Sequence, residues 1–249
     1  MELPTILFTP GAAHDPWAFD LVRSALSKKG FPTSVVTLAT VGSPDPSLGL
    51  KDDIAAVRAE LQRLIDAGNE VIVVAHSYGG IPVSNAVDGL KHDGKAGPRN
   101  GDVIMILYLT AWAIPVGSKL LDFAGDELSS HWNIQGDYAS AVDPINTFYA
   151  DVNPALANKA VSLLRTQNVQ AILGTSSFAP WTNGFEVGYI FAENDVAIPL
   201  AVQEGMASEF PADSFTASLP SSHSPFLSMP ESLAATIQQA SKHAVAKRG

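Results

Sequence analysis

A chain of 249 residues has room for one large α/β domain, with an inserted lid at most. Its 46% hydrophobic and 16% charged content supports a substantial core and argues against disorder. A net charge of −10 with no basic cluster disfavours nucleic acid and anionic membranes, and the lack of cysteine excludes disulfides, thiolate chemistry and cysteine-containing zinc sites.

Met1-Glu2-Leu3-Pro4 runs straight into an apolar strand, with neither a basic n-region nor a cleavage site, and no apolar run is long enough to span a bilayer. A soluble, cytoplasmic protein is expected. Thr5–Phe8 reads as a buried strand, followed by the loop Thr9-Pro10-Gly11-Ala12-Ala13-His14-Asp15-Pro16-Trp17. Phe19, Leu21, Val22, Ala25 and Leu26 then recur at helical spacing, with Gly30 as the stop. Ser34–Leu38 reads as a second strand. A Gly/Pro/Ser-rich loop leads to a helix with Leu50, Ile54, Val57, Leu61, Leu64 and Ile65 on one face. Gly68-Asn69 ends it, and the run Val71-Ile72-Val73-Val74 reads as a strand buried on both faces. A helix, Ile81 to Leu90, a polar loop, Lys91 to Asp102, and a buried strand, Val103–Leu109, come next. This β-α-β-α-β-α-β order predicts a mostly parallel sheet flanked by helices.

From Ala111 to Phe185 strand-like runs vanish, aromatics scatter, and one clear helix spans Pro154 to Thr166. Residues 111–185 are therefore expected to form an inserted helical cap on a core of residues 1–110 and 186–249. The core resumes with a strand at Val187–Ala192, a loop Glu193–Pro199 and a helix Leu200 to Ser208. A strand Ser214–Leu219, a loop carrying His223 and an amphipathic helix Pro230 to Lys247 complete the chain.

Ser77 stands at the sharp junction between the central strand and the next helix, where a nucleophile elbow would hold it. Such a turn crowds the positions two before and two after the serine, and both are small here, Ala75 and Gly79. The strained turn costs on the order of 1–3 kcal/mol and presents the hydroxyl above the sheet. By itself, a Ser-Tyr-Gly-Gly turn can equally join strand to helix without chemistry. A serine hydroxyl needs an imidazole base, itself oriented by a carboxylate. In elbow hydrolases acid and histidine follow the serine in that order, on loops after later strands. Asp195 and His223 occupy those loops, with Glu193 as the rival acid. Of the other histidines, His76 adjoins the serine but would point away. His92 and His243 read as solvated, and His131 in the cap could at most touch substrate. Two backbone N–H groups should hold the oxyanion: that of Tyr78, after the nucleophile, and that of Ala12, in the small-residue loop after the first strand.

These segments together resemble the α/β-hydrolases, and within them the branch of plant methyl esterases, hydroxynitrile lyases and their microbial relatives. The likeness runs over nearly the whole chain. The loop Pro10 to Trp17 is similar to that branch's His-Gly-Ala-x-His-x-x-Trp, with proline replacing the first histidine. Ala75 to Gly80 matches its Gly-His-Ser-x-Gly-Gly, with alanine for the first glycine. Tyr189 to Pro199 matches its acid segment and Ser222 to Pro230 its histidine loop. The fold does not fix the substrate.

The leading expectation is a serine esterase or lactonase acting through an acyl-enzyme, without cofactor or metal. Trp112, Trp132, Trp181 and His14 are taken as substrate-binding residues. The expected partner is a small, largely apolar ester or lactone, with homodimer formation left open. Two alternatives stand beside it: a lyase or cyclase on the same triad (retro-aldol or lactone-rearranging), and a ligand-binding receptor with a vestigial triad. The resemblance implies a lysine after the histidine of cyanohydrin lyases, and Ser224 occupies that position.

Overall fold

The computed structural model describes residues 3–90, 101–124 and 130–248. The polar loop read between Lys91 and Asp102, with His92, falls almost wholly outside the described residues. Strand β1 (Thr5–Thr9) leads through a 3-10 turn at Pro16–Phe19 into helix α1 (Asp20–Lys28), strand β2 (Thr33–Val35) and helix α2 (Leu50–Asp66). β3 (Glu70–Ser77), α3 (Gly80–Ala86) and β4 (Asp102–Ala111) continue the alternation. The next segment holds α4 (Leu121–Ala124), β5 (Trp132–Gln135), β6 (Tyr138–Ala141), α5 (Pro144–Phe148), α6 (Pro154–Leu163), β7 (Gln167–Asn168) and α7 (Val169–Leu173). Strand–helix alternation resumes with β8 (Val187–Ala192), α8 (Leu200–Ala207), β9 (Phe215–Leu219), α9 (Pro225–Ser228) and α10 (Pro230–Arg248).

The six core strands lie in the order β2-β1-β3-β4-β8-β9, every pair parallel. Parallel pairs require crossover connections, which place helices on both faces of the sheet. That double cover explains why β3 is apolar at every position from Val71 to Ala75. Val71, Val73 and Ala75 join the core beneath α2 and α3, while Ile72 and Val74 join the one beneath α1 and α10. Burying each such side chain contributes roughly 1.5–3 kcal/mol, so the fold rests on this run.

Three elements end three or more residues short of the sequence reading. β2 stops at Val35 rather than Leu38. At the sheet edge no further strand prolongs the ladder, and the chain peels off to bury Val36 and Leu38 against α2. α3 ends at Ala86 rather than Leu90, and Gly89 (φ +69°) sits in the turn that follows, with Val87 and Leu90 still buried. α6 ends at Leu163, three residues short of Thr166.

The segment after β4 contains strands that the sequence did not reveal. β5, β6 and β7 form an antiparallel three-stranded sheet. Its strands are two to four residues long and mix polar with exposed positions, so no apolar run marks them. This sheet is knitted to the core. The Gly42 N–H donates to the Thr166 carbonyl (2.8 Å), and the Asn168 side-chain amide donates to the carbonyls of Asp45 (2.7 Å) and Leu48 (3.2 Å). Among the described residues no helix is long and apolar enough to cross a membrane.

Candidate active site

The four segments singled out in the sequence meet above the C-terminal edge of the sheet. Ser77 closes β3 with φ at 52°, a left-handed conformation that a non-glycine residue adopts only under constraint. Its neighbours enforce the turn. A Cβ on Gly79 would lie 2.5 Å from the Pro10 carbonyl oxygen, and one on Gly11 would lie 2.7 Å from the Ser77 Cβ. Both glycines are needed for this close backbone approach.

His223 Nδ1 lies 2.6 Å from Asp195 Oδ2, with both side chains almost wholly buried. The Thr110 hydroxyl donates to that same oxygen, and the backbone N–H groups of Ala197 (2.7 Å) and Ile198 (3.1 Å) donate to Oδ1. Asp195 is thus acceptor-only at four contacts and fixes His223 with its Nδ1 protonated and Nε2 free to accept. Glu193 is exposed, so geometry separates the two carboxylates. The His223 backbone is held too: its carbonyl accepts from His76 Nε2 at 2.9 Å. Beside it, the Ser222 hydroxyl donates to Asp151. His76 therefore holds the His223 backbone from behind, although it sits next to the serine in sequence.

Ser77 and His223 both line one cavity, together with Ala12 and Tyr78. Among the described residues no protein acceptor takes up the backbone N–H of Ala12 or of Tyr78. The cavity walls are apolar, with Trp112, Trp132, Phe148, Leu120, Ile172 and Ile198, and the polar side chains added are Gln167 and His131. Among the described residues no carboxylate, lysine or arginine lines it, so none of them would pair with a charged ligand stripped of its hydration.

Two sequence-assigned substrate residues are elsewhere. Trp181 is buried against Tyr108 and Phe210, outside the cavity lining, and serves the core. His14 is also outside the cavity. Its Nδ1 lies 2.7 Å from the Ala12 carbonyl, to which it donates, and its Nε2 accepts from the Tyr149 hydroxyl at 2.9 Å. His14 is therefore a brace for the Ala12 loop. His243, read as solvated, pairs with Glu186 at 3.0 Å.

Complete burial lowers the His14 pKa from 6.5 to about 4, and burial also pushes His76 well down. Between those values the unfolded chain binds protons that the native state refuses. Stability present above pH 6.5 is therefore lost as pH falls toward 4, by roughly 3 kcal/mol for His14. Denaturant midpoints measured from pH 7 to pH 4 should fall steeply, and His14→Gln should flatten that slope. An unchanged slope in the variant would show that His14 is protonated in the native state.

Some polar residues around the site escaped the sequence reading. Thr110, at φ 37°, gave no motif. Gln167 lies in a two-residue strand. Asp53 did leave a signal, because a carboxylate between Leu50 and Val57 sits on the apolar face of α2. Its side chain is fully buried and accepts from the Tyr78 hydroxyl at 2.8 Å.

Comparison with known proteins agrees with this architecture. The chain is 28% identical to the alpha/beta hydrolase nvfD of Aspergillus novofumigatus over 251 residues, covering 98% of this chain and 99% of that one. It is 26% identical to methylesterase 7 of Arabidopsis thaliana, covering 91% and 92%. The crystal structure of a pyrethroid hydrolase from Sphingobium faniae JZ-2 superposes with a TM-score of 0.75 at 23% identity, covering 96% of this chain and 97% of that one. The family model described as the alpha/beta hydrolase family matches residues 6–236, nearly the whole of the parallel sheet and all four site segments. The chain belongs to the alpha/beta hydrolase family.

Proposed function

We propose that the protein is a serine hydrolase that cleaves a small, uncharged carboxylic ester or lactone through an acyl-enzyme. The observation that carries this reading is the Asp195–His223 pair opening onto the same cavity as a strained Ser77 and two uncommitted backbone N–H groups. His223 Nε2 takes the Ser77 proton as the serine oxygen bonds to the carbonyl carbon. The N–H groups of Ala12 and Tyr78 hold the resulting oxyanion, each contributing roughly 3–4 kcal/mol. His223 then gives its proton to the leaving alcohol. A water, deprotonated by the same nitrogen, releases the acid and restores Ser77.

Residues 111–185 act in this reading as a cap that makes the cavity apolar. Trp112 and Trp132 face an aromatic or medium-chain acyl group. Methylesterase and pyrethroid hydrolase activities among the similar proteins lie within this substrate class. Lyase chemistry has less support. The residue after the base is Ser224, whose hydroxyl is buried and offers no cation to a leaving cyanide.

A neutral aryl phosphonate is expected to label Ser77 stoichiometrically, and ester turnover in ¹⁸O-water should place one label in the released acid. Unlabelled acid with a carbon–carbon cleavage product would move the protein to the lyases. Binding without turnover would make it a receptor.

A further inference from the structure

Asp53 is a fully buried carboxylate with no part in the triad. It lies in the first turn of α2, where the helix N-terminus favours negative charge, but it is not the residue that caps the helix. That task falls to Asp52, which accepts the Gly49 N–H at 2.8 Å. Asp53 faces inward and gathers three donors. Oδ1 accepts the Thr40 backbone N–H at 3.0 Å, and Oδ2 accepts the Thr40 hydroxyl at 2.6 Å and the Tyr78 hydroxyl at 2.8 Å.

The chain continues beyond Thr40. Gln167 Nε2 donates to Thr40 Oγ1 at 2.6 Å, and Gln167 Oε1 accepts the Ala13 backbone N–H at 3.2 Å. Hydrogen-bond polarity along this chain is fully determined. Ala13 N–H can only donate, so Gln167 must present its oxygen there and its amide hydrogens to Thr40. Thr40 must in turn pass its own hydrogen to Asp53. Asp53 thereby accepts at both oxygens, and burial raises its pKa.

The two ends of this network are the two arms of the oxyanion site. Tyr78 follows the nucleophile. Ala13 follows Ala12, has a left-handed backbone (φ 62°), and needs outside bonds to stay there. Resting on the hydrolase reading above, we propose that Asp53 is a positioning residue for the oxyanion-stabilising pair, tying Tyr78 to the Ala12–Ala13 loop through Thr40 and Gln167. Asparagine at 53 breaks the chain in either orientation. An NH2 group toward the Thr40 N–H sets two donors face to face. Turned the other way, it leaves the Thr40 hydroxyl hydrogen without an acceptor, and Gln167 is then free to flip away from Ala13.

Displacement of the oxyanion donors lowers turnover rather than substrate binding. Asp53→Asn and Thr40→Val should each reduce kcat about 10–100-fold with KM within threefold, after normalising to active sites counted by phosphonate labelling. Affinity for a trifluoromethyl ketone that adds to Ser77 should fall in parallel with kcat. Affinity for the corresponding amide, which does not react, should hold within twofold. The double variant should be little worse than either single one, because both cut the same chain. If Asp53→Asn does not fold, Thr40→Val, which keeps the carboxylate, carries the same test. Unchanged kcat per active site, or equal losses for ketone and amide, would overturn the proposal while leaving the hydrolase reading intact. Failure of the parent enzyme to be labelled or to turn over would overturn that reading instead.

Discussion

Ser77→Ala is expected to fold like the parent and to hydrolyse esters at least about 10⁴-fold more slowly. The substitution removes one oxygen at the cavity floor and leaves the close packing of Gly11 and Gly79 around the turn untouched. Ala13 already holds a similar left-handed backbone nearby, so alanine at 77 adds little strain. The melting temperature should stay within a few degrees, and non-reactive cavity ligands should bind as before. A variant within tenfold of parental activity, free of contaminating esterase, would show that Ser77 is not the nucleophile.

Asp195→Asn is expected to cost nearly as much, on the order of 10⁴-fold in kcat. The reason lies in which oxygen each donor uses. Two backbone N–H groups, from Ala197 and Ile198, claim Oδ1, so the asparagine must keep its oxygen there. Its NH2 then replaces Oδ2 and meets His223 Nδ1. The imidazole must accept at Nδ1 and carry its hydrogen on Nε2, a tautomer unable to take a proton from Ser77. Exposed Glu193→Gln should leave kcat/KM within twofold. Steady-state kinetics of the two variants side by side decide the matter, and the reverse order would make Glu193 the orienting acid.

The parallel core was legible because its strands are buried on both faces, which forces long apolar runs such as Val71–Val74. The turn at Ser77 was legible for a related reason: close backbone approach admits only small residues at fixed offsets. Asp195 and His223 could be found from their order after Ser77 and their loops. The small sheet of β5, β6 and β7 was hidden because its strands are only two to four residues long, and β7 is held by hydrogen bonds to residues 40–48 rather than by an apolar run of its own. The same blindness misplaced Trp181 and His14. Sequence places aromatic and imidazole groups along the chain, but only the packing decides whether they face a cavity or fill the core. Trp112 and Trp132 face it, while Trp181 backs onto Tyr108.

The bonds between the insert and the core bear on how such an enzyme can change its diet. Arg165 donates its backbone N–H to the Ala13 carbonyl at 3.0 Å, Gln167 accepts the Ala13 N–H, and Asp151 receives the Ser222 hydroxyl next to His223. The stretch from 148 to 168 thus braces the candidate site, since the Phe148 carbonyl also accepts from Ser222 and the Tyr149 hydroxyl reaches His14. Exchanging the whole insert with that of a relative would remove these braces along with the walls. Grafts meant to alter selectivity should instead stop short of residue 148. They would then vary Leu120, Ala124 and Trp132, whose side chains face the cavity and make no hydrogen bond to the core.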